Sequence, residues 1–224
     1  MKNVKDSMKT VNPYKITGVA EFEGDREDLR VVNLFGTAPS GVLVPPYGEI
    51  WCINNAWSYG HKPDKLFVID GWKCLLHDAD ICKIPREVLY DFLREHRDKM
   101  EIYNAFPEEL IDTRTNEVIA DCLVFPKDVT TALIPGTFFT SSIAHILAFV
   151  AAQEELGYKK IDTLNLYGLE IWGSFEEDEY YNQTPCVNYW LAYLAGRGVQ
   201  VMIPAYLLEM SKSKNNLYGY FNKR

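Results

Sequence analysis
The stretch LRVVNLFGTAPSG, residues 29–41, decides the reading of the fold. A mostly apolar run from Leu29 to Phe35 has the length of one buried strand. It breaks at once into a Gly/Pro/Ser loop, Gly36 to Gly41. A short buried strand feeding such a loop is the usual opening of a doubly wound sheet. Working outward, IWCI (residues 50–53) and LFVI (residues 66–69) repeat the pattern. Each stops at polar or small residues, Asn54-Asn55 and Asp70-Gly71. Uninterrupted apolar strands of this kind suit a parallel sheet covered on both faces.

The last third of the chain carries the same alternation. Thr140 to Leu156 reads as one helix, with Ile143, Ile146, Leu147 and Val150 at helical spacing and Gly157 as its stop. Ile161 to Tyr167 reads as a strand ending in Gly168-Leu169-Glu170. Pro185 to Ala195 reads as a helix closed by Gly196-Arg197-Gly198, and Val199 to Ile203 as a final strand. Helix and strand in turn, with short connections, predict an α/β fold: a Rossmann-like, doubly wound, mostly parallel sheet in one domain over residues 29–224. Residues 1–28 read as a polar leader with one edge strand, Ile16 to Phe22. In the middle, Pro85 to Met100 reads as an amphipathic helix and Glu101 to Tyr103 as a strand. Residues 107–135 read as a small insertion or lid.

Bulk properties bound the function. The chain has 224 residues, 47% hydrophobic and 24% charged, enough for a full core without staples. A net charge of −8 disfavours nucleic acid as partner, because such binding needs a basic footprint. Five scattered cysteines without metal-ligand spacing predict reduced thiols. No apolar run reaches membrane-spanning length and no signal-peptide pattern opens the chain, so a cytoplasmic protein is expected, with no membrane partner. The sequence leaves the oligomeric state open.

In an open parallel sheet, ligands bind outside the carboxyl ends of the strands, near the point where strand order reverses. That rule selects five loops. In the first, Gly36 and Thr37 offer close backbone approach and Ser40 a hydroxyl, so turn amides can cradle a phosphate. Asn54 and Asn55 can orient a base or ribose, or simply make a turn. Asp70 can serve as a base, hold ribose or cap the next segment. Thr140, Ser141 and Ser142 open a helix; Thr140 suffices as the cap, which leaves the other two hydroxyls to meet an anion. Gly168 and Glu170 end a strand, and Tyr180, Gln183 and Asn188 can stack on or bond to a base. Asp70 and Glu170 are the candidate catalytic carboxylates. The acidic run Glu176 to Glu179 reads as a solvated loop or as ligands for magnesium on a pyrophosphate. His61, His77, His96 and His145 lack metal-ligand spacing, and His96 and His145 read as structural residues inside helices. No serine-hydrolase, zinc-protease or zinc-deaminase motif is present.

GTAPS at 36–40, EIWCIN at 49–54, FTSSIA at 139–144, LYGLE at 166–170, QTPCVNY at 183–189 and GRGV at 196–199 resemble, in order, a Rossmann-like protein family of tailed phages. More distantly they are similar to bacterial sialyltransferases and archaeal pterin diphosphokinases. The resemblance implies a nucleotide-binding transferase. Its leading form is a phage glycosyltransferase that uses a nucleotide sugar, with a modified DNA base or a small metabolite as acceptor. A non-catalytic phage protein that sequesters nucleotides and an ATP- and magnesium-dependent pyrophosphokinase are the alternatives. The chain departs from the phage family at Gln183-Thr184-Pro185, where an arginine is common, and so lacks that bidentate anion contact.

Overall fold
Strand β1 (Val31–Phe35) is buried at every residue, so its apolar run has no solvated face. Beside it in parallel lie β2 (Glu49–Ile53), β3 (Lys65–Val68) and β4 (Glu101–Asn104) on one side, and β8 (Thr163–Tyr167) and β9 (Gln200–Met202) on the other. The two-residue β7 (Leu123–Val124) closes the far edge, giving the order β7-β4-β3-β2-β1-β8-β9. Every pair in this seven-stranded sheet is parallel. The computed structural model describes residues 29–43, 45, 47–106, 109–112, 114–133, 139–169 and 178–203; the side chains at 39–40 and 178–182 lie outside that description, as does the expected strand at 16–22.

Alternation along the strands splits the core into two layers. Val32, Leu34, Trp51, Ile53, Phe67, Tyr103, Leu164 and Leu166 face α4 (Ser142–Ala151) and α5 (Asp178–Gly196). Phe35, Cys52, Leu66, Val68 and Ile102 face α1 (Trp72–Ile81) and α2 (Arg86–His96) on the other side. Fully buried side chains such as Leu34, Leu66, Phe67 and Phe149 each contribute roughly 1.5–3 kcal/mol on leaving water. The sheet is therefore held from both faces, as its largely apolar strands require.

One polar pair sits inside this apolar sheet. Asn33 on β1 is register partner to Asn165 on β8 and accepts a 2.8 Å hydrogen bond from its amide. The Asn33 amide in turn donates to the Tyr47 and Glu49 carbonyls. The buried donor is thus satisfied, as burial demands.

At the amino ends of the strands, charges are paired with one another. Arg30 forks onto both Glu49 oxygens, at 2.5 and 3.1 Å. Burial pushes the Glu49 carboxyl up, but hydrogen bonds from Arg30 and Trp51 outweigh it and hold the group below its ordinary value. The Lys65 ammonium pairs with Glu101 and lies over the rings of Trp51, Tyr103 and Tyr158, 5.1–5.7 Å from their centroids. The amino end of the sheet is closed by these contacts, and the carboxyl end carries the loops.

The elements depart from the sequence expectation in instructive places. Helix α1 follows Gly71 directly and no side chain caps it, so it lacks a start signal. Helix α5 begins at Asp178 and carries Pro185 inside it rather than at its first turn; Cys186, Val187, Trp190 and Leu194 bury its inner face. Of residues 107–135, the described part forms an antiparallel hairpin, β5 (Leu110–Asp112) and β6 (Glu117–Ala120), then β7 and the short α3 (Lys127–Ala132). Leu110, Ile119 and Ala120 join the core layer under α2. Helix α4 ends near Ala151, and turns carry the chain on to Gly157, whose φ is +82°.

Candidate functional site
The chain runs from β1 outward to the edge strand β7, then returns to place β8 on the opposite side of β1. The reversal therefore lies between β1 and β8, where a parallel sheet opens a crevice. Both strands end there in glycine. Gly36 N–H donates to the Tyr167 carbonyl at 2.8 Å, and Ala38 N–H donates to the Gly168 carbonyl at 3.0 Å. A Cβ at either glycine would lie 2.3 Å from the other's carbonyl oxygen. The Tyr59 hydroxyl donates to the Thr37 carbonyl at 2.5 Å, and the His61 Nε2 meets the Gly41 carbonyl at 2.5 Å, so the turn is tied to its neighbours.

Over this floor lies a cleft of about 780 Å³. Small-molecule sites are typically of roughly 300–1,000 Å³. The β1 turn contributes Gly36, Thr37 and Ala38, and the β8 turn Gly168 and Leu169. Ile53 and Asn54 come from the end of β2, Ile69 and Asp70 from β3, Ala105 and Phe106 from β4. The start of α4 adds Thr140, Ser141, Ser142 and His145, with Phe139 before it; Cys74, Lys127 and Gln183 complete the wall from α1, α3 and α5. Among the described lining residues, Asp70 and Lys127 alone carry formal charge.

The start of α4 is organised differently from the expectation. Ser141, not Thr140, caps the helix by accepting from the Ala144 N–H at 3.3 Å. The Ser142 hydroxyl donates to Asp70 Oδ2 at 2.5 Å, so a carboxylate already occupies that hydroxyl. Thr140 is exposed in the cleft.

Residue His145, three positions past Ser142, faces the cleft rather than serving only the core. Its ring lies flat on Phe139, with centroids 4.3 Å apart and 4° between planes, and edge-on to Phe125 at 6.1 Å. Its Nδ1 is buried and has no hydrogen-bond partner among the described residues. Burial pushes the imidazole below its ordinary pKa; the Lys127 charge adds to that shift, and Asp70 opposes it. That shift favours the neutral ring.

The structure brings together Gly36, Thr37, Asn54, Asp70, Thr140, Ser141, Ser142, Gly168 and Gln183 around one cleft. Asn54 has a φ of +47°, and its amide donates to Asp78 at 3.0 Å. Asn55 does not reach the cleft: it is fully buried and its amide donates to the Leu75 carbonyl at 3.0 Å. Asn188 is exposed on α5 and does not line the cleft. Glu170 and the side chains of Ser40 and Tyr180 lie outside the described residues, as do Glu176 and Glu177. Among the described residues, no group of three or more His, Cys, Asp and Glu side chains could hold a metal ion, and no helix is long and apolar enough to cross a membrane.

His145, Lys127, Phe139 and Phe106 were not singled out by sequence reading. His145 sits at helical spacing among apolar residues, which reads as core. Lys127 lies inside the stretch with the weakest pattern, residues 107–135, and Phe106 borders it; Phe139 opens the FTSSIA block but has no polar group to mark it as a ligand contact. Only the distance of His145 from the helix start, one turn after three hydroxyl residues, could have hinted at a shared face. Compared with protein-family models, with curated proteins and with solved structures, the chain finds no match.

Proposed function
We propose that this protein is a nucleotide-dependent transferase whose donor binds in the cleft between the ends of β1 and β8. The observation that carries the reading is the placement of Asp70 and the α4 start over the Gly36–Gly168 floor, at the reversal of strand order. In such a transferase, the donor's phosphates leave as an anion and a base accepts the proton of the incoming hydroxyl. Asp70 fits the base. Ser142 holds one of its oxygens, and the other can accept a proton from an acceptor hydroxyl. Asn54 and Gln183 supply amides for donor recognition, and Phe106, which is 58% exposed, offers a face for a base. A nucleotide sugar is the preferred donor, because glycosyl transfer needs one carboxylate base, the role given to Asp70, and room for a departing phosphate, which a cleft of about 780 Å³ offers.

The test is a thermal-shift panel of nucleotides, nucleotide sugars and ATP with magnesium, followed by turnover assays on each ligand that raises Tm. A stabilising nucleotide sugar that is consumed in the presence of a hydroxyl acceptor supports the reading. Stabilisation without turnover of any donor would make the chain a nucleotide-sequestering protein instead. No stabilisation by any member of the panel would remove the nucleotide.

A further inference from the structure
Two of the turn amides that could meet a phosphate are occupied. Gly36 and Ala38 N–H groups bond across to β8, and the Ser142 hydroxyl bonds to Asp70. An anion entering the cleft also meets the Asp70 carboxylate, so it needs a cationic partner away from it. We propose that the phosphate of the cleft's ligand is gripped by two side chains, the Lys127 ammonium and the His145 Nε2–H. This inference rests on the nucleotide reading above and names the residues that hold its anionic group.

Lys127 lines the cleft and forms no ion pair with any described residue. At the amino end of the sheet, by contrast, Arg30 and Lys65 are each matched by a carboxylate. An ammonium in a cleft with no carboxylate partner among the described residues is a charge-matched contact for a phosphate. At His145 the tautomer decides which nitrogen can donate. A neutral imidazole carries one ring proton. On Nδ1 that proton would be a buried donor without an acceptor, because Nδ1 has no partner among the described residues. The proton therefore belongs on Nε2, the ring nitrogen left to the cleft. Phe139 and Phe125 fix the ring plane by stacking and edge contact. The groups that act on the ring are Lys127 from α3 and Asp70 from the end of β3, of opposite sign. The result is an uncharged donor beside a cation, suited to a phosphate oxygen.

The test is isothermal titration of the full chain with inorganic pyrophosphate and with the common nucleoside diphosphates, for wild type, Lys127→Met, Lys127→Arg, His145→Leu and His145→Gln. Lys127→Met and His145→Leu should each weaken both kinds of probe about tenfold or more, the scale of a lost hydrogen bond to a charged group. Lys127→Arg and His145→Gln keep a cation and an N–H donor and should retain most of the affinity. If wild type binds nucleoside diphosphates and Lys127→Met and His145→Leu bind them equally well, the phosphate lies elsewhere and this inference falls while the nucleotide reading stands. If wild type binds a nucleoside diphosphate but not pyrophosphate, phosphate is not the anchoring group and the inference also falls. If wild type binds neither probe, both fall. Should His145→Leu fail to fold, judged by circular dichroism, the Lys127 pair decides the question.

Discussion
Gly36 and Gly168 face each other so closely that a methyl group on either would stand 2.3 Å from the carbonyl oxygen of its partner. The contact is backbone against backbone, so no side chain can rotate away to relieve it. Gly168 also has a φ of +64°, in the left-handed region where a side chain is strained.

Replacing Gly36 or Gly168 with alanine should therefore destabilise the protein by about 1–3 kcal/mol, the cost of overpacking. Gly60→Ala is the control: its φ is +93° but nothing lies within 4 Å of the added carbon. It should show backbone strain alone, about 1 kcal/mol. Denaturant midpoints at constant slope measure all three, and a Gly168→Ala variant no less stable than Gly60→Ala would contradict the packing described.

Asp70→Asn should separate turnover from binding. Loss of the base is expected to lower the rate about 10²–10⁴-fold, while nucleotide affinity holds or rises because a carboxylate has left the anion's neighbourhood. Asp70 is exposed, so the fold should be unaffected. A variant that turns over normally would remove Asp70 from the chemistry.

The cysteines allow the cleft to be mapped without any assay of activity. Cys74 lines the cleft and is exposed, and Cys82 is exposed on the end of α1. Cys52 and Cys186 are buried, and burial pushes the Cys52 thiol far above its ordinary value. Brief treatment with a maleimide, read by peptide mass spectrometry, should label Cys74 and Cys82 and spare Cys52 and Cys186. Burial, with the nearby Asp78 charge, raises the Cys82 thiol, so Cys74 should lead. A bound nucleotide should slow labelling at Cys74 and leave Cys82 unchanged; equal protection at both sites would argue that the ligand acts by general tightening.

Acid should loosen the β5–β6 hairpin through one group. Side-chain and backbone hydrogen bonds from Arg114 hold the Asp112 carboxyl down to about 2, with the Arg114 and Arg94 charges helping. A carboxyl depressed in the folded state stabilises above its unfolded value near 3.8, and that contribution is lost as pH falls through about 2. Wild-type stability should therefore drop between these values, and Asp112→Asn should flatten that part of the profile. Parallel curves for the two proteins would assign the acid sensitivity elsewhere.

The legible and illegible parts of this molecule divide on the range of the interactions involved. The strands β1, β2, β3 and β8 announce themselves because burial keeps their runs largely apolar, with Asn33 and Asn165 the polar pair inside β1 and β8, and their carboxyl ends follow from the polar or small residues that stop them. The loops that meet at the cleft follow from the rule for parallel sheets. Helix α1 does not announce itself, because it has no capping side chain and mixes His77, Asp78 and Asp80 into its turns. Which hydroxyl caps α4 depends on local geometry, and Ser141 prevails over Thr140. The occupation of the Gly36 and Ala38 amides by β8, and the arrival of Lys127 beside His145, depend on contacts between distant segments. Composition and spacing carry no trace of them.

The linked amides of Asn33 and Asn165 lie upstream of the two glycine turns and align β1 with β8. Sliding either strand by one position would turn an amide into an apolar layer and part Gly36 from Gly168. The foundation of the cavity is thus cast as the chain folds, before any guest arrives. Segments around the rim can change length and chemistry above it, so this scaffold can alter what it admits without altering how it is built.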